Sequence, residues 1–79
     1  MALSEKEKEN RKIERFLNYI AEEYNADLKD VKEKYDEYLK TIREIGIDFT
    51  EKNFEYYFKL RLKHTKDEVY YLFFKFLNQ

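Results

Sequence analysis

The run from Val69 to Leu77 is the feature that most constrains what this chain can fold into. It reads V-Y-Y-L-F-F-K-F-L, with one charge in nine residues, whereas 42% of the whole chain is Asp, Glu, Lys or Arg. A stretch this apolar has to be buried, or else it drives association. It is too short to span a bilayer, which takes about 20 residues. We therefore expect the other segments either to wrap this run or to leave part of it for a partner.

Hydrophobic spacing predicts helices along the chain. Apolar residues recur three and four apart in four stretches, which is the period of a helix with one buried face. Residues that start or stop helices separate these stretches: Ser4, Asn25, Asp27, Gly46, Thr50 and Thr65. The final run has strand-forming residues as well, but a lone strand would leave its backbone groups unpaired. The expected fold is a compact all-α bundle of four short helices, or of three with a long C-terminal helix.

Two patterns disagree on whether residues 51–78 form one helix or two. Thr65 with Glu68 matches a capping box, which starts a helix and therefore predicts a break near His64. Against it, Phe58, Leu62 and Val69 continue the phase of one uninterrupted helix. We prefer the break, which makes Val69–Leu77 the central helix of the bundle.

The length of 79 residues predicts one domain, 1–79, in which Met1–Leu3 are frayed. A domain this small is only marginally stable unless its core is rich. Eight Tyr and seven Phe supply that core, since each aromatic side chain buries about 150–250 Å².

Composition excludes most enzyme chemistry. The chain has no Cys, one His and one Gly, so it has no thiol nucleophile, no multi-His metal site and no glycine-rich phosphate loop. We predict no enzyme activity, no cofactor, no metal and no membrane partner. The expected location is the cytoplasm, and the abundance of Lys and Glu favours a thermophile or an AT-rich genome.

A basic run stands out against the net charge of −1. No acid interrupts the eight residues that contain Lys59, Arg61, Lys63, His64 and Lys66. These residues either solvate a helix end or form a local phosphate-binding site at the junction of helices three and four. We call these five residues the basic corner.

Four segments together resemble the N-terminal SAM-like core-binding domain of tyrosine recombinases and phage integrases. The resemblance covers residues 13–78 and rests on F-L-N-Y-I (16–20), D-L-K-D-V-K-E-K-Y-D-E-Y-L (27–39), F-T-E-K-N-F-E-Y-Y-F (49–58) and T-K-D-E-V-Y-Y-L-F-F-K-F-L (65–77). It implies a non-catalytic domain of viral or mobile-element origin that binds double-stranded DNA. No catalytic residue of the family carries over. With the basic corner, the resemblance predicts six DNA contacts: Lys29, Lys32, Lys59, Lys63, His64 and Lys66.

The alternative is a helical protein-interaction module. The last helix has more apolar surface than two or three small helices can cover, so an edge formed by Tyr70, Phe74 and Leu77 is the predicted protein interface. The partner would be a second copy of the chain or a host protein that it inhibits. A designed or purely structural bundle is a third possibility, because the helix caps are so regular.

Overall fold

A computed structural model describes residues 4–78. Over that range the chain is all-α with four helices, and it contains no strand. The helices are α1 (Glu5–Glu23), α2 (Leu28–Ile45), α3 (Glu51–Arg61) and α4 (Lys66–Leu77). The predicted all-α fold with four helices is confirmed, and the expectation for Met1–Leu3 lies outside the described residues.

The chain divides into two units between Lys32 and Glu33, although α2 runs continuously through the division. The single-domain assignment stays a prediction.

The first unit contains α1 and the start of α2, and its caps are those the sequence predicts. The Ser4 hydroxyl accepts a hydrogen bond from the Glu7 N–H at 3.2 Å. Asn25 takes the left-handed conformation, with φ of 51°, which Asn tolerates better than most residues. The Asp27 carboxylate accepts from the Lys29 N–H at 3.0 Å and caps α2.

The buried side of the first unit is apolar. Leu17, Ile20 and Val31 are buried, and Ile20 and Val31 have no exposed surface. These residues belong to the predicted hydrophobic stripes of α1 and α2. The period of the sequence therefore selected the correct faces of both helices.

The second unit begins with the rest of α2 and turns at Gly46. The φ of Gly46 is 86°, a left-handed conformation that costs glycine nothing. The N–H groups of Gly46 and Ile47 both donate to the Ile42 carbonyl, at 2.8 and 3.0 Å. The six-to-one bond from Ile47 is the signature of a Schellman motif, so the predicted end of α2 is confirmed.

An aromatic cluster around Tyr38 forms the core of the second unit. The Tyr38 ring lies 5.4–6.0 Å, centroid to centroid, from the rings of Phe49, Phe54, Tyr57 and Phe73. Three of these four contacts are edge-on, the arrangement favoured by the ring quadrupole. Phe49 before the Thr50 cap and Phe54 four residues after the cap have the spacing of a hydrophobic staple, and both contact Tyr38.

The break between α3 and α4 is present. Residues 62–65 separate the helices, and Thr65 with Glu68 forms the predicted capping box. The alternative of one long C-terminal helix is therefore wrong. Leu62, which the sequence placed on the buried stripe of α3, lies just past the end of that helix and is 55% exposed.

α4 buries fewer side chains than the sequence-based expectation of a central helix implies. Only Val69 and Phe73 are buried along it. Phe76, which helical spacing places on the same face as Val69 and Phe73, is 37% exposed. Nearly every face of this helix is apolar, so its sequence contains no polar stripe to mark which side meets solvent.

Candidate functional site

A charged network ties α3 to α2. The Glu37 carboxylate accepts hydrogen bonds from the Tyr57 hydroxyl at 2.5 Å and from Arg61 Nε at 2.7 Å. Arg61 also donates from Nη1 to the His64 carbonyl at 2.9 Å. The side chains of Arg61 and Glu37 are only 17% and 15% exposed. One guanidinium thus connects α2, the end of α3 and the turn before α4.

The network shifts the ionisation of its members. Burial by itself would raise the pKa of Glu37, but the hydrogen bonds from Arg61 and Tyr57 and the charge of Arg61 outweigh it and leave that pKa lowered. Burial, followed by the hydrogen bond to Glu37, raises the pKa of Tyr57 far above its ordinary value. Glu37 is therefore a carboxylate at neutral pH, and Tyr57 is its neutral donor.

Sequence reasoning missed this network. The helical spacing of the sequence places Glu37 on the charged face of α2, opposite its apolar residues, and the basic run includes Arg61 among the cations available to phosphate. Twenty-four residues separate Glu37 from Arg61, and no local pattern connects positions so distant. One signal was present: Arg61 lies one helical turn after Tyr57, on the same face as a residue predicted to be buried.

The remaining members of the basic corner lie around the break between α3 and α4. Lys59, Lys63 and Lys66 are exposed, and their side chains make no ion pair or hydrogen bond with any residue in the described range. His64 Nδ1 lies 3.5 Å from the Glu68 carboxylate. The corner therefore presents three ammonium groups, while Arg61 and His64 lie beside carboxylates.

The other two predicted DNA contacts lie in the first unit. Lys29 is exposed in the first turn of α2. Lys32 Nζ pairs with Glu14 of α1 at 3.2 Å, and both side chains are about half exposed. An exposed pair of this kind contributes little to stability, because solvent screens it. Lys32 is therefore partly neutralised.

The second predicted interface, on α4, has a large aromatic surface. Tyr70, Tyr71 and Phe74 are 42%, 60% and 47% exposed. Leu77, the third residue of the predicted edge, is partly buried. We call Tyr70, Tyr71 and Phe74 the α4 aromatic face.

Charged residues flank the α4 aromatic face on a regular spacing. Asp67, Tyr71 and Lys75 follow one another at intervals of four residues, which makes one row along a helix surface. Lys75 Nζ lies 4.9 Å from the centroid of the Tyr71 ring, a cation–π contact. The row thus carries an acid at one end, a tyrosine in the middle and a base at the other end.

A groove opens on the other side of α4, where its C-terminal part meets α3. Its volume is about 370 Å³. Tyr56 of α3 stacks on Phe76 of α4 inside it, with ring centroids 4.3 Å apart and planes 23° apart. Lys59, predicted as a DNA contact, also lines this groove. It therefore belongs both to the basic corner and to the groove.

In residues 4–78, no three His, Asp or Glu side chains gather in a way that could hold a metal ion. None of the four helices combines the length and the apolar character needed to cross a bilayer.

Comparison of the chain with protein-family models, with curated proteins and with solved structures finds no match.

Proposed function

We propose that this protein is a helical interaction module that associates with a second copy of itself through the α4 aromatic face. The observation that carries the proposal is the exposure of Tyr70, Tyr71 and Phe74, three large aromatic side chains within five residues. Aromatic residues are enriched at protein interfaces and often supply most of the binding energy. Contiguous exposed apolar patches mark such surfaces.

The charges around the face favour a second copy as the partner. Asp67 and Lys75 lie four residues before and four residues after Tyr71. In an antiparallel pair of α4 helices with a two-fold axis at Tyr71, each Asp67 would face the other copy's Lys75. A two-fold interface has to be self-complementary in this way. α4 has 12 residues and is therefore about 18 Å long. A contact this short falls below the 1,200–2,000 Å² that is typical of stable interfaces, so we expect a weak dimer.

Sedimentation equilibrium over a range of protein concentrations tests this function. The mass should rise from the 9.9 kDa of one chain toward twice that value as the concentration increases. Phe74→Glu should keep the protein monomeric, because it places a charge within the apolar contact. A wild-type protein that stays monomeric up to millimolar concentration would rule out the proposal.

Charge exchange tests the partner and its orientation. Asp67→Lys and Lys75→Asp should each weaken the dimer, and the double variant should restore it, because the two contacts reverse sign together. Lys12→Asp, an equal charge change at an exposed position of α1, should leave the association unchanged. Failure of the double variant to recover would exclude the antiparallel arrangement even if Phe74→Glu disrupts the dimer.

Binding of double-stranded DNA is a second candidate function, favoured by the basic corner. Lys59, Lys63 and Lys66 are exposed ammonium groups, and they can neutralise phosphates without first breaking an ion pair to a described residue. The resemblance to recombinase core-binding domains, with its implied phage or mobile-element origin, supports the same function. The pairing of Arg61 and Lys32 with carboxylates reduces the charge available to DNA.

Fluorescence anisotropy with a duplex oligonucleotide, at several salt concentrations, tests DNA binding. Lys63→Glu combined with Lys66→Glu should abolish binding at low salt, and neutralising one of them should lower the salt slope by about one. Lys6→Glu with Lys8→Glu, on the exposed first turns of α1, serves as the control of equal charge. A wild-type protein without salt-dependent affinity would exclude this function.

A further inference from the structure

The groove between α3 and the C-terminal part of α4 combines a stacked aromatic pair with two cations. Its volume of about 370 Å³ falls within the range of small-molecule sites, about 300–1,000 Å³. The residues that line it are Lys52, Asn53, Glu55, Tyr56, Lys59 and Phe76. All of them belong to the second unit, and only Lys59 appears in the functions proposed above.

The aromatic pair offers a surface for a planar ring. Tyr56 and Phe76 stack at 4.3 Å, and Tyr56 also lies 6.5 Å from the buried ring of Phe73. The contact with Phe73 anchors the pair to the core, while Phe76 stays partly open to solvent. A pre-positioned ring binds a planar ligand with little loss of side-chain entropy.

The two lysines flank the pair on α3. Lys52 and Lys59 are seven residues apart, which on a helix means the same face and a separation of about 10 Å along the axis. Both are exposed, and neither side chain makes an ion pair or hydrogen bond with another residue of the described chain. Each ammonium group is thus placed to bind an anion attached to a ring that stacks on Tyr56.

The two remaining polar residues narrow the choice of ligand. Asn53 provides an amide that both donates and accepts hydrogen bonds, as the edge of a nucleobase requires. Glu55, which also lines the groove, repels a phosphate placed close to it. Together with the stacked pair and its flanking cations, this chemistry matches a base with a phosphate at some distance from it.

We propose that this groove binds one nucleotide unit, with the base stacked on the solvent-exposed side of the Tyr56–Phe76 pair and the phosphate on Lys52 or Lys59. The unit could be a free nucleotide or part of a single strand, since both present a base and a phosphate to the protein. Single-strand binding elsewhere uses the same combination of aromatic platforms and a positively charged groove. The site is independent of self-association through the α4 aromatic face, and it differs from duplex binding at the basic corner in requiring an unpaired base.

Amide and aromatic NMR spectra of the uniformly labelled full chain test this site. Three probes are titrated separately: adenosine monophosphate, a short oligothymidine and inorganic phosphate. We expect saturable shifts at Lys52, Tyr56, Lys59 and Phe76 with the first two probes. Phosphate alone should bind at least about tenfold more weakly, because it lacks the ring. A stronger response to the oligothymidine than to the monophosphate would identify the single strand as the source of the unit.

Three variants separate the contribution of the Tyr56 ring to ligand binding from that of the two lysines. Tyr56→Leu, which keeps an apolar side chain but removes the ring, should weaken the binding of both nucleotide probes about tenfold or more. Lys52→Gln with Lys59→Gln should reduce it further at low salt. Lys63→Gln, at the basic corner but outside the groove lining, is the matched control and should leave it unchanged. Unchanged far-ultraviolet circular dichroism shows that each variant is folded.

Two results would overturn the proposal. One is the absence of saturable shifts at the groove with either nucleotide probe at millimolar concentration. The other is binding that Lys63→Gln weakens and Tyr56→Leu does not, since that would place the ligand at the basic corner.

Discussion

α3 and α4 are similar helices, but more of α4 than of α3 is exposed to solvent. They have 11 and 12 residues, and each begins after a threonine cap. α3 carries five charged residues but buries Phe54, Tyr57 and Phe58. α4 is the more apolar of the two, yet it buries only Val69 and Phe73. Hydrophobic content therefore does not decide which helix is buried in this protein; the side chains that each helix meets do.

What α3 meets is a specific set of partners on α2. Its rings pack against Tyr38, and Tyr57 and Arg61 bind Glu37. Apolar contact and charged contact thus act on the same helix. Five predictions compare the contributions of α3, α4 and their contacts to stability, beginning with the largest expected effect.

Matched phenylalanine truncations compare the two helices directly. Phe54→Ala on α3 should lower the free energy of unfolding by about 3–5 kcal/mol, because it leaves a cavity beside Tyr38. Phe74→Ala on α4, where the ring is about half exposed, should change it by less than about 0.5 kcal/mol. Urea denaturation of dilute protein measures both. Equal losses would show that the α4 aromatic face contributes to the core after all.

Removal of the Glu37 charge tests the polar attachment of α3. Glu37→Gln should cost about 2–3 kcal/mol, because Tyr57 and Arg61 lose a charged acceptor in a mostly buried place. Glu33→Gln, an exposed acid on the same helix, provides the control.

The same variant has a predictable pH dependence. Folding lowers the pKa of Glu37. The contribution of its carboxylate to the free energy of unfolding is therefore present above the unfolded-state pKa, near 4.5, and disappears as the pH falls through the folded-state pKa. The difference in stability between the wild type and Glu37→Gln should therefore shrink on acidification. A constant difference from neutral to acidic pH would contradict the assigned role.

The caps give a smaller and more local comparison. Thr65→Ala removes the acceptor of the Glu68 N–H and the hydrogen bond to its carboxylate, and it should cost about 1 kcal/mol. Hydrogen exchange should quicken at the start of α4 and stay unchanged in α3. Thr50→Ala removes the cap of α3. It should quicken exchange at the start of α3 and leave exchange in α4 unchanged. Exchange that quickens equally in both helices would mean that they open as one unit.

The smallest effect is expected at Tyr38. Its hydroxyl is buried and makes no hydrogen bond of normal geometry within the described chain, although the Thr50 backbone acts to lower its pKa. Tyr38→Phe should therefore be neutral, or should stabilise the protein by up to about 1 kcal/mol, whereas Tyr57→Phe should destabilise it by about 1–2 kcal/mol. Thermal unfolding of the two variants measures the contrast. A clear loss of stability in Tyr38→Phe would reveal a partner for its hydroxyl.

Much of this fold could be predicted because helix ends depend on a few consecutive residues. The caps at Ser4, Thr50 and Thr65 and the left-handed residues Asn25 and Gly46 were all identified from local sequence. Which side of α4 is buried could not be predicted, because a helix that is apolar on nearly every side has no polar stripe to mark its solvent-exposed face. The bond between Glu37 and Arg61 was also missed, since it depends on how two distant helices pack. Of the candidate sites, the exposed lysines and α4 aromatics could be named from sequence, but the groove depends on Tyr56 and Phe76 being brought together.

The tyrosine hydroxyls of the second unit make the protein its own optical reporter. The chain has no Trp, so its near-ultraviolet absorption comes mainly from tyrosine. Burial raises the pKa values of Tyr35, Tyr38 and Tyr57, and these rings therefore lose their protons at a higher pH in the folded protein than in the unfolded chain. The raised pKa values contribute to the free energy of unfolding. This contribution is complete below the unfolded-state pKa of about 10 and is lost as the pH rises through the folded-state pKa values. Tyrosinate absorbance in strong base should therefore include a late step that coincides with unfolding, visible without any added dye.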